Sequence, residues 1–366
     1  MRLGLVRLKY EPGGGAETTL GLLAQGLMQR GHQVHVITSA WRGTPPAGLM
    51  VHAVAAPGRG AERLRAFAHA ARHQAEDLRL DTWLSLERVP GAPVFRAGDG
   101  CHAAWLKRRA AYEGLFKRWS FRFNPLHRAF LDLERRTLMA PELVRVVANS
   151  RLVAAELAQY YGLGPDRVRV VYNAVDQDHL APALDPATRQ RQRRELDLPE
   201  GRPVLLFLGS GFERKGLAFA LKALARLPQA VLLVAGRDRV APYERLARCL
   251  GVLSRVRFLG QAGEVAGLLA AADALLLPTI YDPCANACLE ALYAGLPVVT
   301  TLANGAAELV VDGLGGCLVP EPADTAALAE ACQRAWGLPR PVPHQLPSPG
   351  QWLDSTLALL EGAARS

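Results

Sequence analysis

Short apolar runs bounded by Gly, Asp or Asn alternate with helical patterns along nearly the whole chain, and they do so in two series. In the first series the apolar runs fall at residues 2–8, 33–38, 49–55, 82–86, 93–97, 144–148 and 168–172. In the second they fall at 203–208, 230–235, 257–259, 274–277, 297–300 and 316–319. Helical spacing fills the intervals at 16–30, 152–161, 217–227, 243–250, 264–271, 286–294 and 325–336. Strands that alternate with helices in this way pair in parallel, and their near-continuous apolar character requires helices on both faces. The pattern therefore predicts two doubly wound α/β sheets. At 366 residues the chain also exceeds the length at which one core stops growing, roughly 250–300 residues.

A polar, Arg-rich stretch at 176–202, with Pro182, Pro186 and Pro199, separates the two series. The expected domains are residues 1–175 and 176–345, facing each other across a cleft. A Pro-rich run (Pro339, Pro341, Pro343, Pro347, Pro349) then leads to an amphipathic helix at 351–364. A tail at 350–366 of that kind can cross back onto the first domain. Ligands of open parallel sheets bind beyond the carboxyl ends of the strands, so function is expected on those loops.

Half of the residues are hydrophobic and 21% are charged, as in an ordinary soluble α/β protein. No run of 18 apolar residues occurs, and the start of the chain lacks the regions of a signal peptide, so a cytoplasmic location is expected. The six cysteines form no CxxC pair, which favours free thiols in a reducing compartment. The net charge of +9 is concentrated at residues 105–136, where nine Lys or Arg face three acids. Trp105, Tyr112, Phe116, Trp119, Phe121, Phe123 and Phe130 are interleaved with them. That mixture suits a segment lying on an anionic membrane surface, and the bland alternative is a solvated face whose aromatics fill the core. No motif supports nucleic-acid binding.

Three places carry candidate chemistry. The first loop holds Gly13, Gly14 and Gly15, where backbone can approach a ligand ahead of a helix N-terminus. It is not the dinucleotide fingerprint, because Thr18 stands at the third glycine position. Likewise Gly211 and Gly216 do not make a phosphate-binding P-loop, since Leu217 follows where Lys is required. The second place is the strand-to-helix loop containing Gly209, Ser210, Arg214 and Lys215. Two adjacent cations there can neutralise a departing diphosphate without a metal. The third is the segment from Asp282 to Glu290, in which an acid opens a loop, small residues start a helix, and a second acid follows one turn inside. Amides of residues 286–288 would face a phosphate, Glu290 could accept from ribose hydroxyls, and Asp282 could reach hydroxyls of a transferred sugar.

The Asp282-x7-Glu290 spacing, with the Leu-Glu-Ala-Leu and Gly-Leu-Pro-Val that follow it, resembles the E-x7-E region of glycosyltransferase family 4, a retaining family of GT-B fold. The glycine loop, Gly209 to Lys215 and the Asn173-Ala-Val-Asp176 turn agree with it, so the resemblance covers nearly the whole chain. It is most similar to the lipopolysaccharide core members, through Lys9-Tyr10, Arg30-Gly31-His32, Trp41-Arg42-Gly43, Arg96-Ala-Gly-Asp99-Gly-Cys101 and Gly209 to Gly216. The resemblance implies transfer of a hexose, glucose from UDP-glucose, to an inner-core heptose or similar lipid-linked glycan at the inner membrane face. It implies no metal and no other cofactor. The implied donor contacts are Gly14, Gly15, Gly209, Ser210, Arg214, Lys215, Gly260, Asp282, Asn286, Ala287, Cys288, Leu289 and Glu290. Asp99 would assist or orient the acceptor, with His102 as its rival. Asp282 departs from the usual Glu and is followed by Pro283, so it reaches the sugar with a shorter arm. A nucleotide-sugar 2-epimerase and a non-catalytic membrane-binding module of the same fold are the competing readings.

Overall fold

The computed structural model describes residues 1–11, 15–261, 263–340 and 346–365; for residues 15, 16 and 115–117 the backbone alone is described. The chain divides into two compact units, Met1–Asn173 with Pro349–Ser366, and Ala174–Ser348. No helix among the described residues is long and apolar enough to cross a membrane.

In the first unit the strands are β1 (Arg2–Val6), β2 (Gln33–Thr38), β3 (Met50–Ala53), β4 (Thr82–Ser85), β5 (Val94–Ala97), β6 (Arg145–Ala148) and β7 (Val168–Val170). The helices are α1 (Gly15–Gln29), α2 (Ala61–Asp77), α3 (His102–Ala110), α4 (Leu115–Phe123), α5 (Pro125–Leu138) and α6 (Arg151–Tyr161). The strands pair in parallel in the order β3-β2-β1-β4-β5-β6-β7. The order in which strands are added across the sheet therefore reverses between β1 and β4, and this switch point is where an open parallel sheet opens a crevice.

The second unit starts with α7 (Gln177–Leu180) and α8 (Pro186–Glu195). It continues through β8 (Val204–Leu208), α9 (Leu217–Leu224), β9 (Val231–Ala235), α10 (Ala241–Cys249), β10 (Val256–Gly260), α11 (Val265–Ala271) and β11 (Ala274–Leu277). It closes with α12 (Asn286–Tyr293), β12 (Val298–Thr301), β13 (Gly316–Val319) and α13 (Thr325–Trp336). Its sheet order is β10-β9-β8-β11-β12-β13, with the reversal between β8 and β11. Every residue of β8, β9, β11 and β12 is buried, because helices cover both faces. Each such Leu, Val or Phe contributes roughly 1.5–3 kcal/mol on leaving water.

All thirteen expected strands form, with ends shifted by a few residues. The stretch at 176–202, read as the start of the second domain, lies within the second unit. There α8 buries Thr188 and Gln192, and Arg189 and Arg193 close on Asp273 at 2.6 and 3.4 Å. Arg189 also donates to the carbonyls of Ala270 and Ala272 at the end of α11, at 2.8 Å each. Its cations thus answer the unpaired carbonyls of a helix end, a tertiary partner invisible in a local polar pattern.

The last helix, α14 (Pro349–Ala364), packs on α1, β4, β5 and β6 and belongs to the first unit. Trp352, Leu353 and Leu360 are its buried face. Part of the Pro-rich run before it, residues 341–345, lies outside the described residues.

Candidate active site

In the second unit the switch-point rule selects the loops after β8 and β11, and the structure joins those two loops. Gly209 leaves β8 with φ 122°, and a Cβ there would sit 2.7 Å from Lys215 Cε, so only glycine lets the lysine stem fold over this backbone. Gly216 ends the loop with φ 80°; a Cβ there would lie 1.9 Å from the Pro278 carbonyl oxygen. The two loops are also tied by backbone. The Arg214 carbonyl accepts from the Ile280 amide and the Thr279 hydroxyl, each at 2.9 Å.

That close approach brings three charges together. Asp282 Oδ2 lies 2.8 Å from Arg214 Nη1 and 3.0 Å from Lys215 Nζ. Asp282 and Lys215 are buried, whereas the Arg214 side chain is 34% exposed. Burial alone would push the Asp282 carboxyl up, but the two cations outweigh it and hold it below the usual carboxylate range. The cluster is one anion bridging two cations, which leaves one net positive charge. Asp282 holds both cations on one oxygen.

The helix that follows carries the expected donor residues from Asn286 to Glu290. Asn286 and Ala287 open α12, and Glu290 sits one turn later. Burial raises the Glu290 carboxyl, against the pull of Lys215 and of His179. His179 lies on α7, a short helix capped by Asp176, whose carboxylate accepts the His179 amide at 3.1 Å. The Asn173-Ala-Val-Asp176 turn thus delivers a histidine toward Glu290, a residue with no motif signal of its own. The Cys288 amide donates to the Ala285 carbonyl at 2.9 Å, which closes the first turn of α12. Leu289 is fully buried and its amide also turns to Ala285, at 3.4 Å. The Cys288 thiol is pushed up to about 12 by burial and stays protonated. Ser210 accepts the Arg237 amide at 3.0 Å, and Gly260 ends β10, where its carbonyl accepts the Gly236 amide at 2.7 Å. Gly13 and Gly14 lie outside the described residues, and Gly15 opens α1.

The switch point of the first unit carries a second charged cluster that was not anticipated. Arg7, just past β1, meets Glu87, just past β4, at 3.0 Å, and Glu17 on α1 at 3.5 Å. Glu87 also accepts the Leu8 amide at 3.1 Å. The topology rule points to both loops, but no motif marks these residues.

Asp99 is exposed in the turn between β5 and α3, and that turn is gripped on both sides. Asn149 donates to the Gly98 carbonyl at 3.2 Å, and Arg88 to the Gly100 carbonyl at 3.0 Å. Glu134, buried on α5, pairs with Arg88 at 2.9 Å and accepts the His102 amide at 2.9 and 3.0 Å. It also accepts the Tyr161 hydroxyl at 2.7 Å. His102 is neutral near pH 7, because burial and then Arg88 push it down to about 4. Its ring stacks on Phe130, and its Nε2 lies 3.2 Å from His127 Nδ1. Of the two rivals, the structure leaves Asp99 at the surface and packs His102 among aromatic rings.

The basic aromatic segment folds as α3, α4 and α5, and its cations are unequal. Arg108 pairs with Glu156 on α6 at 3.2 Å. Arg109 pairs with Glu113 and lies over the Trp105 and Phe121 rings. Leu133 and Leu138 are core residues. By contrast Trp119 and Phe123 on α4 are 67% and 59% exposed, with Arg118 and Arg122 exposed beside them.

The comparisons with known proteins agree with this layout. The Glycosyltransferase Family 4 profile matches residues 13–179, and the profile of Glycosyl transferases group 1 matches residues 188–342. The chain is 30% identical over 337 residues to the lipopolysaccharide glucosyltransferase WaaG of Escherichia coli K12, covering 89% of this chain and 87% of that one. It superposes on a crystal structure of WaaG, a glycosyltransferase involved in lipopolysaccharide biosynthesis, with a TM-score of 0.81 and 26% identity over 99% and 94% of the two chains. It shares its fold with Anabaena HepE solved in complex with UDP-glucose, at a TM-score of 0.70 and 20% identity over 100% and 98% of the chains. The chain therefore belongs to glycosyltransferase family 4, with the GT-B fold, and is related to the glycosyltransferases of lipopolysaccharide core biosynthesis.

Proposed function

We propose that this glycosyltransferase moves a hexose from a UDP-sugar, UDP-glucose in the first instance, onto a lipopolysaccharide inner-core heptose or a similar lipid-linked glycan. The observation that carries the reading is the pair of cations, Arg214 and Lys215, gathered on Asp282 at the switch point of the second unit. A nucleotide diphosphate brings two negative phosphates. Preorganised cations stabilise the charge that grows on it as the sugar departs, without needing a metal ion. In this reading the diphosphate meets Arg214, Lys215 and the start of α12, Glu290 accepts from the ribose, and Asp282 meets the sugar hydroxyls.

The reaction breaks the bond from sugar C1 to the phosphate oxygen and forms a bond from C1 to the acceptor oxygen on the same face. The acceptor proton goes to the departing diphosphate, and Asp99 orients the acceptor. Exposed Trp119 and Phe123, with Arg118 and Arg122, would rest the first unit on an anionic membrane surface at the inner face.

The test is a transfer assay with UDP-glucose and a heptose-terminated lipid-linked core, with the product anomer read by NMR. Transfer with retention, persisting in excess EDTA, is the expected result. A strict divalent-metal requirement would overturn the metal-free mechanism, and an inverted anomer would overturn retention. Failure to bind UDP at millimolar concentration would overturn the donor site itself.

A further inference from the structure

The turn after β12 carries a side chain that the chemistry above leaves unused. Asn304 is 1% exposed, and its amide reaches both arms of the candidate pocket. Its Oδ1 accepts the Ala285 amide at 3.2 Å and the Ala306 amide at 3.0 Å. Its Nδ2 donates to Thr300 Oγ1 at 3.0 Å and to Cys288 Sγ at 3.3 Å. The Thr300 hydroxyl in turn donates to the carbonyl of Leu277, the last residue of β11, at 2.8 Å. Backbone on either side of Asn304 clamps the acid of the charge cluster. The Asp282 amide donates to the Ala303 carbonyl at 3.0 Å, and the Gly305 amide to the Asp282 carbonyl at 2.9 Å.

Only the Ala306 contact belongs to an ordinary Asn turn, in which the side chain bonds the backbone two residues on. The other three side-chain contacts reach away from that turn. Two of them cross to α12: Ala285 is its N-cap and has no capping side chain of its own, and Cys288 sits in its first turn. A neutral thiol is a weak acceptor, so this contact adds direction more than strength. The arrangement fastens the start of α12 and the segment carrying Asp282 to one buried amide.

We propose that Asn304 is a positioning residue for the donor pocket, holding the first turn of α12 and Asp282 in the geometry that receives a nucleotide diphosphate. This rests on the donor-site reading given above. Loss of the side chain leaves the Ala285 amide without its acceptor and frees the first turn to shift. A displacement of about 1 Å in the groups that meet a ligand is enough to weaken its binding severely.

The test is calorimetric titration of the full chain with UDP. Asn304→Ala is expected to raise the Kd for UDP about tenfold, the scale of one lost buried hydrogen bond. The measurement is made well below the variant's Tm, with its circular dichroism matched to the parent. A merely structural role would lower Tm and leave the Kd of the folded protein within about twofold, which would overturn the proposal. Thr300→Val removes one acceptor of the amide and keeps the side-chain volume; a two- to threefold rise in Kd is expected, roughly half the effect on a logarithmic scale. Should Asn304→Ala not fold, an unchanged Kd in Thr300→Val overturns the proposal. If the parent chain itself does not bind UDP, the donor-site reading fails and this proposal with it; parent binding with unchanged variants defeats the role of Asn304 alone.

Discussion

Asp282→Asn removes the single negative charge that bridges Arg214 and Lys215 while keeping the side-chain size. At an effective dielectric of about 20, each pair at 2.8 and 3.0 Å carries roughly 6 kcal/mol of gross attraction. Most of that is offset, since the carboxylate is buried and the Arg214 share is screened by its partial exposure. What remains on breaking a buried pair is about 3–5 kcal/mol, and the amide oxygen of the variant can still accept from a cation, which favours the low end. At about 3 kcal/mol, Tm should fall by about 6–12 °C for a unit of this size. The depressed carboxyl sets the pH window. Its stabilisation is present above the ordinary value of 3.8 and is lost as pH falls through the lower folded value, so parent and variant should differ at neutral pH and begin to converge only as pH drops below 3.8. A diphosphate would supply the counter-charge that the variant lacks, so saturating UDP should raise the variant's Tm more than the parent's. Differential scanning fluorimetry at pH 7 and at acid pH, with and without UDP, reads all three effects. Equal Tm values at pH 7 would refute the bridging role, and a smaller UDP shift in the variant would refute the counter-charge reasoning.

Other outcomes follow from the same geometry. Lys215→Ala and Arg214→Ala should each lower kcat by at least about a hundredfold in the transfer assay, because charge on the departing diphosphate goes unanswered. Lys215→Ala should also lower Tm more than Arg214→Ala, since Lys215 is the more buried partner of Asp282. Replacing Trp119, Phe123, Arg118 and Arg122 by Ser or Gln should weaken sedimentation with anionic vesicles and leave the UDP Kd unchanged. Replacing Arg108 and Arg109 instead should lower stability, because they pair with Glu156 and Glu113. Gly216→Ala should destabilise by more than about 1 kcal/mol in urea unfolding, as its methyl meets the Pro278 carbonyl and its φ is positive.

Much of the architecture is legible before any coordinates. The apolar runs of β8, β9, β11 and β12 are continuous because both sheet faces are covered, and that burial writes itself into the residue types. Asp282, Glu290, Arg214 and Lys215 stand out because their spacing around strand ends is unusual for surface charge. Arg7, Glu87, Glu134, His179 and Asn304 do not stand out, since each takes its meaning from a partner far along the chain. The partners of the polar stretch at 176–202 are hidden for the same reason: Arg189 and Arg193 look solvated until Asp273 and the end of α11 are placed beside them.

The sequence by itself determined that two doubly wound α/β sheets form and that loops at strand ends carry an acid pair and a cation pair, because hydrophobic period and local residue chemistry are properties of neighbours in the chain. Tertiary structure alone decided that the pairs are not independent. Strand order puts β8 beside β11, and so one oxygen of Asp282 holds both cations. Which charges meet depends on which strands are adjacent, and adjacency is set by packing across the sheet.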